Sequence, residues 1–204
     1  MKDTIQEQLI AARRNQILEA AAKVFAEKGF HPTTIKDIAR VAGIADGTIY
    51  NYFENKTALL LGIVDLTTQT AKQDMDLSKI TELDFRGFLK AYLLQPLMVP
   101  KADNFELFRV LISEIMVNKE LRELYYQKIF EPTIAMAETY FRQYAERQVS
   151  KPLDISLTIR TISGMVFGLI LQHIMGDKTL EAKWDELPDF LADLILEGLG
   201  SNKS

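Results

Sequence analysis

Apolar side chains recur with a helical period along almost the whole chain. In residues 9–28 they return every three, four or seven positions, and Gly29 follows the last of them as a helix stop. No stretch alternates apolar and polar residues as a half-buried β-strand does. After residue 55 the pattern predicts longer amphipathic helices near 55–75, 84–99, 103–117, 119–148, 153–175 and 184–199. The chain is therefore predicted to be all-α, with about nine helices.

Two short helices are predicted between the first helix and the longer ones. Pro32 disfavours helical backbone at the residue before it, and Thr34 with Asp37 resembles a capping box that begins the second helix. That helix is predicted to end at Gly43, and a third to run over Asp46–Phe53. Three helices, with a glycine-containing turn between the two short ones, are typical of a helix-turn-helix unit.

Prolines predict where the body helices bend or end, because proline lacks the backbone N–H and clashes with the preceding turn. Pro96 and Pro100 are expected to kink and then end the second long helix, and Pro132 to kink the fourth near Lys128. The segment 176–183 is predicted to be a loop.

Charge is unevenly distributed between the two predicted domains, a helix-turn-helix head over residues 1–54 and a helical body over 55–204. The whole chain has 24 Lys and Arg against 28 Asp and Glu, a formal net charge of −4. Residues 1–56 hold eight basic and seven acidic side chains, so the acidic excess lies in the body. This asymmetry is compatible with a head that contacts DNA, but alone it does not establish one.

Composition and chemistry exclude several classes of protein. The chain contains no cysteine, which excludes disulfide frameworks, thiolate zinc sites and iron–sulfur clusters. The uncharged apolar runs at 58–64 and 164–171 are shorter than the roughly 18 residues of a membrane-spanning helix, and the first residues do not resemble a secretory signal. We therefore expect a cytoplasmic protein with no membrane partner.

Catalytic chemistry has no candidate centre in the sequence. His31 is predicted to lie exposed in a turn, and His173 lies among apolar residues, where a core or interface role is the simpler interpretation. Neither belongs to a spaced metal-binding set, and Ser163, before Gly164, lies in the middle of a helix rather than at a nucleophile elbow. We predict no catalytic residue, no metal site and no cofactor.

The segment Thr33–Lys56 has the residue types that suit DNA. The hydroxyl of Thr34 and the ammonium of Lys36 lie at the start of the second helix. Together with the unpaired backbone N–H groups of that helix, they suit a phosphate. Small residues open the third helix and allow its backbone to approach the major groove. Tyr50 and Tyr52 then project from that helix and can reach phosphates or thymine methyl groups. Lys56, at the start of the next helix, can bind the flanking phosphate.

Residues 14–60 resemble the DNA-binding head of the TetR family of bacterial transcriptional regulators. The matching text is R-x-x-IL-x-AA from Arg14, VFAEKGF, TTIKDIARVAGI and GTIYNYFENKTALL. The resemblance implies an all-α fold with a helix-turn-helix head and a body that binds effectors and dimerises. It also implies DNA contacts by the residues that here are Thr34, Lys36, Asp46, Gly47, Thr48, Tyr50, Tyr52 and Lys56.

Two positions depart from the family pattern. The cap of the recognition helix is often Ser or Thr, but here it is Ala45, a candidate DNA-contacting position that lacks the hydroxyl. Asp46 either accepts a hydrogen bond from a cytosine amino group or caps the helix, and we favour capping. Tyr50 either contacts phosphate, which we favour, or packs half-buried. Arg13 and Arg14 either contact phosphate or belong to a solvated face.

The resemblance also implies a small-molecule pocket between helices of the body. Methionine and aromatic residues suit a pliable apolar cavity, although ordinary helical core is the simpler interpretation for any one of them. The candidates are Phe88, Tyr92, Phe105, Phe108, Met116, Tyr126, Phe130, Met136 and Phe167.

The last two long helices resemble those that form a four-helix dimer bundle in the family. Gly164 and Gly168 lie four residues apart on one helix face, which favours close helix approach, either to a partner or within the subunit. The interface candidates are Gly164, Gly168, Ile155, Trp184, Leu191 and Ile195.

Together these features predict a homodimeric, ligand-responsive repressor. It would bind a near-palindromic double-stranded operator and be released from it by a hydrophobic small molecule. The alternative is an all-helical carrier or enzyme for a hydrophobic small molecule, in which the helix-turn-helix is structural only.

Overall fold

The computed structural model describes residues 2–74, 84–101, 105–148 and 153–198. Every regular element in those residues is a helix, which confirms the all-α fold. The α-helices are α1 (Lys2–Lys28), α2 (Ile35–Ala42), α3 (Asp46–Ile49), α4 (Lys56–Asp74), α5 (Phe85–Lys101), α6 (Glu106–Val117), α7 (Lys119–Tyr125), α8 (Glu131–Gln148), α9 (Ile155–Ile174), α10 (Lys178–Lys183) and α11 (Leu187–Gly198). A π-helical turn, Tyr126–Phe130, joins α7 to α8, and a 3₁₀ turn, Trp184–Glu186, joins α10 to α11.

Local capping explains where the helices differ from the prediction. The predicted loop at 176–183 contains α10, because the Asp177 carboxylate accepts hydrogen bonds from the backbone N–H groups of Thr179 and Leu180 at 2.8 and 3.1 Å. The third helix is shorter than predicted, since beyond Ile49 the chain continues in turns. The expected disturbance near Lys128 takes the form of the π-helical turn, which lies just before Pro132, whose missing N–H removes one i→i−4 hydrogen bond.

The first of two compact units comprises Met1–Thr70 and Glu106–Ile129, and we call it the head unit. It contains the helix-turn-helix together with most of α4 and with α6 and α7. Its core is built from the apolar stripes of these helices, among them Ile17, Leu18, Ala21, Phe25, Ile38, Ile49, Phe53, Leu59, Leu111 and Leu121. This unit is larger than the predicted head, because more helices pack on the helix-turn-helix; a functional boundary at residues 54/55 stays a prediction.

The second unit comprises Ala71–Phe105 and Phe130–Ser204, and we call it the body unit. Its buried side chains include Phe85, Leu89, Leu93, Leu97, Phe141, Ile159, Ile162, Val166 and Ile170. The indole N–H of Trp184 donates to the Leu97 carbonyl at 3.2 Å within this core. On its surface, the Arg86 guanidinium binds the carboxylates of Asp193 at 2.6 Å and Asp189 at 3.3 Å, which ties α5 to α11.

Candidate nucleic-acid interface

The start of α2 is built on the predicted capping box. The Asp37 backbone N–H donates to the Thr34 hydroxyl at 3.2 Å, and the Thr34 backbone N–H donates to the Asp37 carboxylate at 3.1 Å. The same carboxylate binds the Lys28 ammonium at 2.8 Å and the Arg40 guanidinium at 3.1 Å. The hydrogen bond from Lys28, followed by those from Thr34, holds the pKa of Asp37 well below its usual range. Asp37 is therefore ionised and fixed at the first turn of α2.

This arrangement decides which groups of α2 remain available to a phosphate. The Thr34 hydroxyl also donates to Asp37, at 2.8 Å, so both of its hydrogen-bonding functions serve the cap. The backbone N–H groups of Ile35 and Lys36 lie at the first two helical positions, which have no intrahelical acceptor. Lys36 is exposed, and within the described part of the chain no hydrogen bond or ion pair engages its ammonium. Lys36 and these amides are the groups here best placed for a phosphate.

The helix α3 presents an open surface on one side and core on the other. Ala45, Asp46 and Gly47 are exposed, and a Cβ atom added at Gly47 would have no neighbour within 4 Å. Ile49 on the opposite side is fully buried. No side-chain hydrogen bond caps the helix at Ala45, so the structure does not support the favoured interpretation that Asp46 repairs the cap. The Asp46 carboxylate is instead presented at the helix start.

The two tyrosines after α3 occupy different environments. Tyr50 is 59% exposed, which is against the packing alternative and leaves its hydroxyl at the surface. Tyr52 is half-buried and packs against the core of the head unit, as does Phe53. Contact of either tyrosine with DNA stays a prediction.

Lys56 is engaged more fully than the sequence indicates. Its ammonium donates to the backbone carbonyls of Phe30, His31 and Thr33 at 2.8, 3.1 and 2.9 Å. It also lies 4.8 Å from the centroid of the Phe30 ring. An ammonium has three N–H donors, and all three are used. In this arrangement Lys56 fixes the turn between α1 and α2, and the predicted phosphate contact would have to displace one of these bonds.

The two arginines of α1 are also held within the head unit. Arg14 places its guanidinium 4.5 Å from the centroid of the Phe53 ring, and Arg13 donates to the Gln16 side chain at 3.0 Å. Arg14 therefore supports the segment after α3 rather than belonging to a wholly solvated face. Arg14 also lines a half-open cavity of about 480 Å³ in the head unit. Its lining includes Tyr52, Leu61, Asp65, Leu124 and Lys128.

The predicted pocket residues are divided between the two units. Phe108, Met116 and Tyr126 belong to the head unit, and the other six belong to the body unit. Within the body unit the ring of Phe88 stacks 6.2 Å from Tyr92 and lies 6.5 Å from Tyr140. The remaining predicted positions are Phe105, Phe130, Met136 and Phe167.

Several of these residues are placed where a pocket role is difficult. Phe105 is buried against His173 and Trp184, with ring centroids 4.6 and 5.2 Å away, so it belongs to the ordinary core. Met116 is 73% exposed at the end of α6, and Tyr126 is also exposed. The cavity in the head unit is lined by none of the nine predicted residues.

Four of the predicted interface residues are largely covered within the subunit. Ile155, Trp184, Leu191 and Ile195 lie in the core of the body unit and are each 9% exposed or less, so they offer a partner little surface. A Cβ added at Gly164 or Gly168 would meet no atom within 4 Å, which leaves these two positions accessible; their place in an interface stays a prediction. The exposed apolar side chains of α9 and α11 and of the residue after α9 are instead Leu157, Phe167, Leu171, Met175, Phe190 and Leu194.

The helix α9 is more apolar than its packing in the subunit requires. It has a stretch with a mean hydropathy of 1.5, of which 22% is buried within the chain. By length and composition alone it is the one helix among the described residues that could span a membrane. Arg160 lies within it and binds the Glu138 carboxylate of α8 at 2.6 Å. A contiguous exposed apolar surface of this kind is typical of an interaction site.

Glu114 was not singled out by the sequence analysis. It lies on α6, is 3% exposed, and its carboxylate oxygen Oε1 is 3.1 Å from the His31 imidazole nitrogen Nε2. A signal was present, because Leu107, Leu111 and Glu114 follow the helical spacing of an apolar stripe, with a carboxylate at its last position.

Comparison with known proteins finds similar regulators. The family model described as bacterial regulatory proteins, tetR family, matches residues 17–63. The fatty acid metabolism regulator protein of Bacillus subtilis is 50% identical over 48 residues, which are 24% of this chain and 25% of that relative. The match therefore spans about a quarter of that relative's length.

Other similarities extend over almost the full length. The uncharacterized HTH-type transcriptional regulator YhgD of Bacillus subtilis is 26% identical over 198 residues, covering 93% of this chain and 98% of that relative. The crystal structure of a transcriptional regulator FadR from Bacillus subtilis, in complex with stearoyl-CoA, has a TM-score of 0.72 and 26% identity. That similarity covers 87% of this chain and 96% of the other. The body as well as the head therefore resembles that of such regulators.

Proposed function

Because this chain belongs to the TetR family of bacterial regulatory proteins, we propose that it is a homodimeric transcription regulator that represses genes until a small molecule releases it from DNA. The observation that carries the proposal is the exposed surface of the helix-turn-helix. There α3 presents Gly47 at the surface, with no atom within 4 Å of an added Cβ, while Ile49 on the opposite side is buried in the core. The major groove of DNA admits a helix whose exposed side is open in this way. Its place of action would be the cytoplasm.

The proposed DNA contacts divide between base edges and phosphates. Ala45, Asp46, Gly47 and Thr48 would face the groove, where Asp46 can accept a hydrogen bond from a cytosine amino group. Lys36, Tyr50 and the first amides of α2 would bind phosphates and set the register. Thr34, Tyr52 and Lys56 would support the interface mainly indirectly. The Thr34 hydroxyl is used in the cap of α2, the Tyr52 ring packs against the core, and the Lys56 ammonium binds the turn before α2.

The proposed dimer uses the outer surface of α9 and α11. Phe190 is 62% exposed, and Leu194 and Leu171 are exposed on the same two helices. A second copy of the chain would cover this apolar surface, and the open faces of Gly164 and Gly168 would allow close helix approach. Two-fold symmetry then requires two half-sites about one helical turn apart, roughly 34–36 Å, or a multiple of that distance.

The proposed effector is hydrophobic. The FadR structure at 26% identity is a complex with stearoyl-CoA, and the body unit of this chain holds the stacked rings of Phe88 and Tyr92, with Tyr140 nearby. An effector shifts the equilibrium only by its difference in affinity for the two states. To convert a population that is almost all DNA-competent into one that is almost all released, it needs a preference of about 10⁴, or ~5.5 kcal/mol.

Selection of genomic DNA tests the proposal. Sheared genomic DNA of the source organism is incubated with the purified full chain, and the retained fragments are sequenced. We expect enrichment of one or a few sites that share two inverted half-sites. Retention of fragments without a common sequence, or no retention at low salt, would contradict a sequence-specific regulator.

A further inference from the structure

The turn between α1 and α2 is held by side chains from two other helices of the head unit. From α4, the Lys56 ammonium binds three carbonyls of this turn, at Phe30, His31 and Thr33. From α6, the Glu114 carboxylate contacts the His31 imidazole at 3.1 Å. Within the turn the buried Thr33 hydroxyl donates to the Gly29 carbonyl at 2.6 Å. The backbone that leads into α2 is therefore fixed at several points.

Glu114 is the unusual member of this arrangement. Among the described residues it is the one charged side chain in the buried class, and its imidazole partner is largely exposed. Removing a carboxylate from water costs free energy that one contact with a solvated imidazole only partly offsets, so an apolar residue would serve the core at least as well. A buried polar pair of this kind is better explained by what it positions than by stability.

The position of His31 gives this contact a consequence for DNA binding. His31 is three residues before Thr34, the residue that caps α2, and five before Lys36. Between His31 and Thr34 lie only Pro32, whose φ is fixed by its ring, and the buried Thr33, whose hydroxyl donates to the Gly29 carbonyl. The proposed phosphate-binding groups lie on the first turn of α2.

We propose that Glu114, acting through His31, is a positioning residue for DNA binding: α6 uses this pair to set the orientation of the first turn of α2. The inference rests on the proposed function and adds a residue that contacts no DNA. It also identifies α6 as a helix whose displacement changes operator affinity directly, at a single side-chain contact.

A double-mutant cycle on operator affinity tests the inference. The single variants are Glu114→Gln and His31→Ala, combined in a double variant, and the DNA is the site selected by the wild-type chain. We expect each single variant to bind about five- to tenfold more weakly and the double variant to bind no more weakly than the weaker single one. The dependence of affinity on salt should stay that of the wild type, because no phosphate contact is removed. The exposed pair partner Glu123, changed to Gln, is the matched control on α7 and should bind as the wild type does.

A second variant separates positioning from stability. Glu114→Met fills the same volume without a charge and should leave the chain as stable as the wild type or more so, yet it should bind the operator as weakly as Glu114→Gln does. Hydrogen exchange at the amides of Ile35–Asp37 should be faster in both variants, with or without DNA.

Three results would overturn the inference. They are affinities within twofold of the wild type in folded variants, multiplicative losses in the double variant, and unchanged exchange at the start of α2. If the wild-type chain itself selects no DNA site, the proposed function fails and this inference falls with it; unchanged variants of a binding wild type would refute the inference alone.

Discussion

Removal of the Lys36 ammonium tests the phosphate-binding role of α2 quantitatively. Lys36 is exposed at the second position of α2, beside amides without an intrahelical acceptor, so Lys36→Ala should remove one phosphate contact per subunit and leave the core intact. Each neutralised phosphate contributes about 0.9 to the slope of log K against log salt. The proposed dimer makes two such contacts and should therefore lose about 1.8 from that slope. Over a fourfold change of salt, for example 50 to 200 mM, the wild type should lose about 12-fold more affinity than the variant.

The assay is fluorescence anisotropy of a labelled operator at five salt concentrations. Lys23→Ala is the matched control, because Lys23 is equally charged and exposed but lies on α1 outside the proposed interface. Both variants have the same net charge, so a general electrostatic effect would lower both slopes equally. An unchanged slope in Lys36→Ala, or an equal decrease in the two variants, would refute the phosphate contact.

Three further predictions concern the tyrosine, the dimer and the acidic cap. Tyr50→Ala should weaken binding of the proposed dimer to the operator about 100-fold without changing the urea midpoint, since the side chain is mostly exposed and each of the two phosphate hydrogen bonds lost contributes about 1.5 kcal/mol; a shifted midpoint with unchanged affinity would support the packing alternative instead. Phe190→Glu should yield monomers in sedimentation velocity, whereas Met116→Glu, at an equally exposed apolar position of the head unit, should not; dimers of Phe190→Glu would exclude the proposed surface. Because the pKa of Asp37 is lowered in the folded state, its contribution to stability is present at neutral pH and is lost as pH falls below the usual range of aspartate. Asp37→Asn should therefore show a smaller loss of unfolding free energy between pH 5 and pH 2 than the wild type, and equal losses would contradict the cap network.

Local signals in the sequence were sufficient for the fold and for the core of the candidate interface. Apolar periodicity predicts helices wherever the structure has long ones, and the Thr34–Asp37 spacing predicts the capping box that the structure contains. Both depend on residues within four positions of each other. Capping by Asp177 is equally local, and α10 could have been predicted from it.

Contacts between distant residues could not be obtained in this way. Lys56 reaches carbonyls 23 to 26 residues earlier in the chain, and Glu114 reaches His31 across 83 positions. No period in a single sequence specifies such pairs. A lysine at the start of a helix near DNA therefore suggests a phosphate contact until the acceptors of its ammonium are known.

The predicted interface residues illustrate a different limit. Both sides of α11 are apolar, so its pattern does not show which side faces the subunit core. The sequence analysis selected Leu191 and Ile195, which are buried, whereas Phe190 and Leu194 are exposed. The packing of α11 against α5 decides between them, and it is a tertiary contact.

The measurement that tests the central claim most directly is a titration of the purified chain with the DNA beside its own gene and with a scrambled sequence of the same composition, at 150 mM salt. The account predicts saturable binding to the specific DNA at least about 10³-fold tighter than to the scrambled DNA, with two subunits or a multiple of two per site. Equal affinity for both sequences, at the ~10⁻⁴–10⁻⁶ M level of non-specific binding, would contradict it.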